Sequence, residues 1–186
     1  MTDDDAPPEE DVPTPRMLAW ARNSAAYRLS KRMMTEKQLS DAIIRKAKQK
    51  FDGISLAQIQ ALAASAVAFG LDVKALDDVA YAEIRTRSSA RAGKSKKVIA
   101  QTLAQKGVDR QIVTQAVSET DDLRSAVIYA RRRAFGPFRR AELDEKQKAK
   151  ELSAFVRQGF GYELANRVFA MDLEEAEELM ADSPWG

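Results

Sequence analysis

The chain has 186 residues, of which 45% are hydrophobic, and its 30 basic and 28 acidic side chains leave a formal net charge of only +2. It contains neither Cys nor His, which excludes disulfides, thiolate nucleophiles and the commonest metal ligands and acid/base catalysts. No apolar run approaches the roughly 18 residues that a membrane helix needs, and the acidic, Pro-rich N-terminus is unlike a signal peptide. We therefore expect a cytoplasmic protein with no membrane segment.

Motifs for nucleotide binding and for nucleophilic catalysis are also missing from the sequence. It has no GxGxxG fingerprint, no Walker loop and no nucleophile elbow. We therefore expect no enzymatic activity, no catalytic residue, no metal, no cofactor and no small-molecule substrate.

Hydrophobic periodicity and capping residues predict an all-α protein. Residues 1–15 form an acidic tail that has too few apolar residues to fold, so we expect this tail to be disordered as far as Pro13. In chain order, the predicted helices begin at Pro15, Thr35, Ser55, Asp77 or Asp78, Ser95, Asp109, Asp121, Leu143, Tyr162 and Asp172. Glycines are expected to end five of them, namely Gly70, Gly93, Gly107, Gly136 and Gly159.

The predicted helices form groups of three that repeat along the chain. At a shift of 52 residues Gly107 matches Gly159, and at a shift of 60 residues Leu39 matches Ile99. Three tandem three-helix repeats stacked in series would give an elongated, curved body. We place the repeats at residues 16–75, 76–119 and 120–171, followed by an acidic segment, 172–186, that could form one extra helix.

Basic residues are concentrated in the interior of the chain, whereas both ends are acidic. Between Val12 and Met171 there are 30 basic and 16 acidic residues, and the segments Ile84–Val108 and Arg124–Arg140 contain no acid. A folded surface this basic implies an acidic partner, and nucleic acid or a protein filament carrying it is the first candidate. The residues that we predict to contact this partner are Arg85, Arg87, Arg91, Lys94, Lys96, Lys97, Arg131, Arg132, Arg133, Arg139 and Arg140.

Several short motifs resemble those of the RecX family, bacterial regulators of the RecA recombinase. They are an LDD-x-x-Y-A element, a basic G-K-x-x-K-x-I run, a K-G-V-D corner and an R-x-G-F-x-Y corner. They begin at Leu76, Gly93, Lys106 and Arg157, respectively. The resemblance implies a non-enzymatic modulator built of three tandem three-helix repeats. Such a protein would lie in the groove of the RecA–DNA filament and inhibit filament extension, strand exchange and ATP hydrolysis.

The residues and the resemblance together predict a monomeric regulatory protein that binds RecA–DNA filaments, with single- or double-stranded DNA as a second partner. One alternative is a DNA-binding protein with a helix-turn-helix-like unit between Ser95 and Val117, in which Gln111, Thr114 and Gln115 could read bases. Another is a helical protein–protein scaffold whose basic faces are merely solvated. Within Arg124–Arg140, one arginine could instead pair with an acid at the rim of the core.

Overall fold

The computed structural model describes residues 11–140 and 144–181, and every regular element among them is helical. The predicted all-α class is confirmed. The N-terminal tail, for which we expect disorder, lies outside the described residues up to residue 10. The helices are Pro15–Lys31 (α1), Glu36–Lys50 (α2), Leu56–Asp72 (α3), Asp78–Arg91 (α4), Lys96–Gln105 (α5), Arg110–Ser118 (α6), Asp122–Arg133 (α7), Glu145–Arg157 (α8), Tyr162–Ala170 (α9) and Leu173–Ala181 (α10). A short 3-10 turn, Gly136–Phe138, follows α7.

The starts of two early helices agree with the capping boxes in the sequence, whereas the start predicted at Leu143 lies outside the described residues and α8 begins at Glu145 after Asp144. At Thr35 the side chain accepts a hydrogen bond from the backbone of Gln38, and the side chain of Gln38 accepts one from the backbone of Thr35. Ser55 and Gln58 form the same reciprocal pair at the start of α3. Both capping boxes are confirmed, because they depend only on residues three positions apart.

Two of the predicted helix ends are wrong. Helix α3 continues through Gly70 to Asp72, because Gly70 is a packing residue at which an added Cβ would lie 2.7 Å from Leu76 Cδ1. Helix α7 ends at Arg133, and Ala134 takes the left-handed conformation (φ 54°) in place of the predicted Gly136. The three-repeat arrangement, its boundaries and the curved overall body stay predictions.

The chain divides into two compact units. The first unit comprises the described residues up to Tyr81 together with Lys106–Asp109. Helices α1, α2 and α3 pack around small and branched side chains, and Trp20 meets Phe51 edge-on at 5.2 Å between ring centroids. Fully buried residues of this core are Ala21, Ala25, Leu39, Ile43, Ala47, Leu62 and Ala66. The alanines allow close approach of the helices.

The second unit comprises Ala82–Gln105 and the described residues from Arg110 onward. Its core is built around the fully buried ring of Phe155, whose centroid lies 5.2 Å from that of Tyr129 and 5.7 Å from that of Phe169. Helix α10 joins this core through Ala176, which is completely buried. The extra acidic helix predicted at the C-terminal end is thus confirmed for Leu173–Ala181.

Each unit contains the same contact between a helix start and a glycine corner, which we call the corner lock. In the first unit, the Thr35 hydroxyl donates a hydrogen bond of 2.6 Å to the carbonyl oxygen of Lys106. In the second, the Ser95 hydroxyl donates one of 2.6 Å to the carbonyl oxygen of Gln158. The lock satisfies a carbonyl at a helix end that lacks a partner within its own helix.

The residue after each locked carbonyl is a glycine in the left-handed conformation. The φ angles are +83° at Gly107 and +81° at Gly159. An added Cβ would collide with the Lys37 side chain at the first corner and with the Ser95 side chain at the second. The two corners are 52 residues apart and the two hydroxyls 60 apart, which are the shifts at which the sequence repeats.

Carboxylates complete both corner locks. The backbone N–H of Glu36 donates to Asp78 (3.0 Å), and the backbone N–H of Lys96 donates to Asp122 (2.6 Å). Burial raises the pKa of Asp78, although the hydrogen bond from Glu36 opposes this shift. Both carboxylates receive N–H groups of a helix first turn, where the macrodipole favours negative charge.

Candidate partner-binding surface

The second half of α4 carries three arginines of the predicted site. Arg85 and Arg91 are exposed and Arg87 is half-buried. Arg87 and Arg91 line an open groove with Ile84, an apolar residue with 43% of its surface exposed. This part of α4 therefore presents both positive charge and exposed apolar area to solvent.

The corner after α4 brings the two predicted basic segments together. Gly93 (φ +73°) lies so close to α7 that an added Cβ would be 2.8 Å from the backbone nitrogen of Tyr129. The Arg132 guanidinium donates a hydrogen bond of 2.6 Å to the carbonyl oxygen of Ala92. Lys94, beside this contact in sequence, is exposed. The C-terminal ends of α4 and α7 thus form one positive surface.

The lysines around the start of α5 differ in their surroundings. Lys97 is exposed, whereas Lys96 is half-buried and donates 2.9 Å from Nζ to the carbonyl oxygen of Ser118 at the end of α6. Ser95, between Lys94 and Lys96, is completely buried in the corner lock. The lock therefore fixes the backbone from which Lys94 and Lys97 extend.

The three consecutive arginines of α7 are all exposed, and each points to a different neighbour. Arg131 Nη1 lies 3.9 Å from Met180 Sδ of α10. Arg132 caps the end of α4, as described above, and the Arg133 guanidinium lies 5.5 Å from the ring centroid of Phe135. In all three contacts the guanidinium group itself meets the neighbour, although the three side chains as a whole are exposed.

Arg139 and Arg140 differ from each other. Arg139 makes two hydrogen bonds to Glu151, from Nε at 3.1 Å and from Nη2 at 2.6 Å, and Glu151 is only 2% exposed. The backbone N–H of Gly136 also donates to this carboxylate, at 3.4 Å. Arg139 therefore neutralises a buried acid. This contact supports, for Arg139, the alternative in which one arginine of this segment pairs with an acid at the rim of the core. Arg140 is exposed.

The sequence did not single out Arg124, which holds the acidic helix in place. Its Nη2 donates 2.9 Å to the carbonyl oxygen of Met180 in α10. The apolar stripe of α10 predicted that this helix would pack on the protein, but nothing in the sequence indicates which residue anchors it. The exposed glutamates of α10 are Glu174, Glu175, Glu177 and Glu178.

Membrane-spanning helices and metal-binding clusters are both absent from residues 11–140 and 144–181. Within these ranges, no helix is both long and apolar enough to cross a bilayer. The same ranges contain no group of three acidic side chains placed to hold a metal ion.

Known proteins resemble the chain in sequence and in structure. A family model described as RecX, second three-helix domain, matches residues 77–117. The regulatory protein RecX of Agrobacterium fabrum is 60% identical over 172 residues, which cover 92% of this chain and 94% of that protein. The regulatory protein RecX of Myxococcus xanthus is 33% identical over 160 residues, covering 80% and 83% of the two chains.

A solved structure has the same fold. The crystal structure of RecX from Lactobacillus salivarius superposes with a TM-score of 0.64 and covers 89% of this chain and 99% of that one. Because only 20% of the residues are identical, the superposition bears on the fold alone.

Proposed function

The chain belongs to the RecX family of regulatory proteins, and on this premise we propose that it binds RecA–DNA filaments and inhibits the recombinase. The observation that carries the proposal is the contact between Arg132 and the carbonyl oxygen of Ala92. It unites two acid-free segments, Ile84–Val108 and Arg124–Arg140, in one positive surface. We further propose that the protein acts as a cytoplasmic monomer.

The surface has the chemistry needed to bind a nucleoprotein filament. Exposed guanidinium and ammonium groups attract phosphates from a distance and release counterions on contact. The open groove beside Ile84 and Arg91 adds apolar area, which phosphate binding does not need but a protein partner does. A filament of recombinase and DNA offers both kinds of contact along its length.

Binding by itself would inhibit the recombinase. A body lodged against the filament hinders the rearrangement of protomers that ATP hydrolysis and strand exchange require. The corner locks support this role, because rigid docking elements lose less conformational entropy on binding than mobile ones. The protein would need no catalytic group of its own.

Base reading by α6 is the principal alternative. Gln111, Thr114 and Gln115 are exposed on this helix. The Thr114 hydroxyl, however, donates 2.8 Å to the carbonyl oxygen of Arg110 in its own helix. Its donor is thus occupied locally, which makes α6 a weaker reader of base edges than the residue types suggest.

The test is a RecA ATPase assay on single-stranded DNA with wild-type protein and two charge-reversal variants. The site variant carries Arg85→Glu, Arg91→Glu and Lys97→Glu, and the control carries Arg45→Glu, Lys46→Glu and Lys48→Glu on exposed positions of α2. We expect the wild type and the control to slow ATP hydrolysis and the site variant to lose at least about ten-fold in inhibitory potency, on the order of 1.4 kcal/mol. Circular dichroism checks that both variants remain folded.

Four outcomes would count against the proposal, each in a different way. If the wild type leaves the ATPase unchanged, the inhibitory function fails. Equal potency of all three proteins would place the contact elsewhere on the molecule. If both variants lose inhibition equally, net charge rather than this surface determines binding. A large preference for one duplex sequence in DNA binding alone would favour base reading instead.

A further inference from the structure

Helix α1 presents a second basic surface, which the proposed function does not use. The sequence contains no acidic residue from Val12 to Thr35. The five basic residues of this stretch are Arg16, Arg22, Arg28, Lys31 and Arg32. Helix α1 buries its opposite side, through Met17, Ala21 and Ala25, in the core of the first unit. Its outer side therefore faces solvent with positive charge only.

An exposed tyrosine lies in the middle of this outer side. Tyr27 has 67% of its surface exposed, whereas Tyr81 has 4% and Tyr129 packs among the aromatic rings of the second core. The Lys31 ammonium lies 5.5 Å from the Tyr27 ring centroid. A cation held over the ring restricts its motion and leaves a largely solvated aromatic surface.

The spacing places the tyrosine in a stripe with basic residues. Arg16, Asn23, Tyr27 and Lys31 are separated by seven, four and four residues, so they follow one face of the helix. All four are exposed. Lys31 lies about 6 Å along the helix axis from Tyr27, and Arg16 about 16 Å in the other direction. A chain of phosphates following this face would meet cations on both sides of the ring.

We propose that this face binds single-stranded nucleic acid, with an unpaired base stacked on Tyr27 and the backbone phosphates on Lys31 and Arg16. Aromatic rings interleaved with cations are the usual means of binding single strands without sequence preference. Duplex DNA offers no free base face to the ring, so we expect single strands to be preferred. The proposal does not depend on filament binding, because it concerns the first unit and free nucleic acid.

The test measures binding of the full chain, without recombinase, to labelled oligothymidylate and to an abasic oligonucleotide of equal length. Tyr27→Ala should weaken binding to oligothymidylate by between about 5-fold and 150-fold, the range expected for loss of one stacked base. Binding to the abasic strand, which has no base to stack, should not change. Tyr27→Phe keeps the ring and should bind like the wild type.

Tyr162→Ala is the matched control, because Tyr162 is 62% exposed but precedes an acidic residue, Glu163, on α9. The proposal is overturned if Tyr27→Ala binds oligothymidylate like the wild type or loses affinity equally for the two strands. It is also overturned if Tyr162→Ala shows the same loss as Tyr27→Ala. Loss of ATPase inhibition with unchanged single-strand binding would identify this face as a protein contact instead.

Discussion

Arg139 and Arg140 are neighbours in the sequence, but only one of them is part of the core. The Glu151 carboxylate is 2% exposed and receives two hydrogen bonds from Arg139 and one from the backbone of Gly136. Replacing a buried ion pair by apolar groups is often harmless, but removing one partner leaves an uncompensated charge. The energetic importance of Arg139 therefore lies in the buried acid that it neutralises.

We predict that Arg139→Ala lowers the free energy of unfolding by about 3 kcal/mol, since Glu151 would then be buried without its partner. Arg140→Ala, at an exposed position, should change it by less than about 0.5 kcal/mol. Urea unfolding followed by circular dichroism measures both. Equal stability of the two variants would show that the fold does not need the partner of Glu151, and the ion pair would then not be structural.

At the scale of elements, the hydroxyl of each corner lock hydrogen-bonds to the start of one helix and to the end of another. The Ser95 Oγ accepts a hydrogen bond from the backbone of Val98 (3.2 Å) at the start of α5 and donates to the carbonyl oxygen of Gln158 at the end of α8. A serine can do both because its oxygen is donor and acceptor together. Thr35 does the same between Gln38 and Lys106.

Ser95→Ala should therefore destabilise the second unit by about 1–3 kcal/mol, because it leaves both an N-terminal N–H and the carbonyl of the half-buried Gln158 without a partner. Ser153→Ala is a suitable control, since the Ser153 hydroxyl is exposed and bonds only to its own helix at Ala149. Chemical denaturation of both variants tests this. If Ser95→Ala unfolds at the same denaturant concentration as the control, water replaces the lock at little cost.

Local signals in the sequence account for the helix starts but not for all the helix ends. A capping box requires only the residue types at Thr35 and Gln38, so it is visible in the sequence. Gly70 looks like a helix terminator, yet it is present because Leu76 and Leu29 press against it, and no local pattern reveals that contact. The same limit applies to Ala134, whose left-handed conformation is more typical of glycine.

The candidate site shows a similar division. The two acid-free segments are evident from composition, and the motifs at Leu76 and Gly93 indicate the family. Their union, however, depends on the hydrogen bond between Arg132 and Ala92, which are 40 residues apart in the sequence. The structural role of Arg139 depends likewise on the burial of Glu151, which as a charged residue would ordinarily be assigned to the surface.

On the scale of the whole molecule, positive and negative charges are concentrated in different parts of the sequence. A net charge of +2 conceals 30 basic against 16 acidic residues between Val12 and Met171. Within the second unit, acidic helix α10 is anchored to α7 by the hydrogen bond from Arg124 to Met180, and Arg131 lies beside the Met180 sulfur. The glutamates of α10 thus lower the electrostatic potential around the helix that carries the three consecutive arginines.

Removing the acidic segment after Met171 would raise DNA affinity at low salt, but it would also uncover the core around Ala176. A cleaner variant is Glu174→Gln, Glu177→Gln and Glu178→Gln, which keeps Glu175 because Glu175 and Asp172 cap the start of α10. We predict that this variant binds DNA several-fold more tightly at low ionic strength. The gain should shrink as the screening length falls from about 30 Å at 0.01 M salt to about 8 Å at 0.15 M.

A control of equal charge separates the position of these glutamates from their number. Glu36→Gln, Asp52→Asn and Asp72→Asn remove three exposed acids from the first unit, so they raise the net charge equally but far from α7 in the sequence. Anisotropy titrations of a labelled duplex over a range of salt concentrations would compare the three proteins. Identical curves for the α10 variant and the wild type would mean that the helix is electrostatically silent. Identical gains in DNA affinity for the two variants would assign the effect to net charge. A gain confined to the α10 variant would show that the glutamates of this helix weaken DNA binding by the nearby arginines of α7.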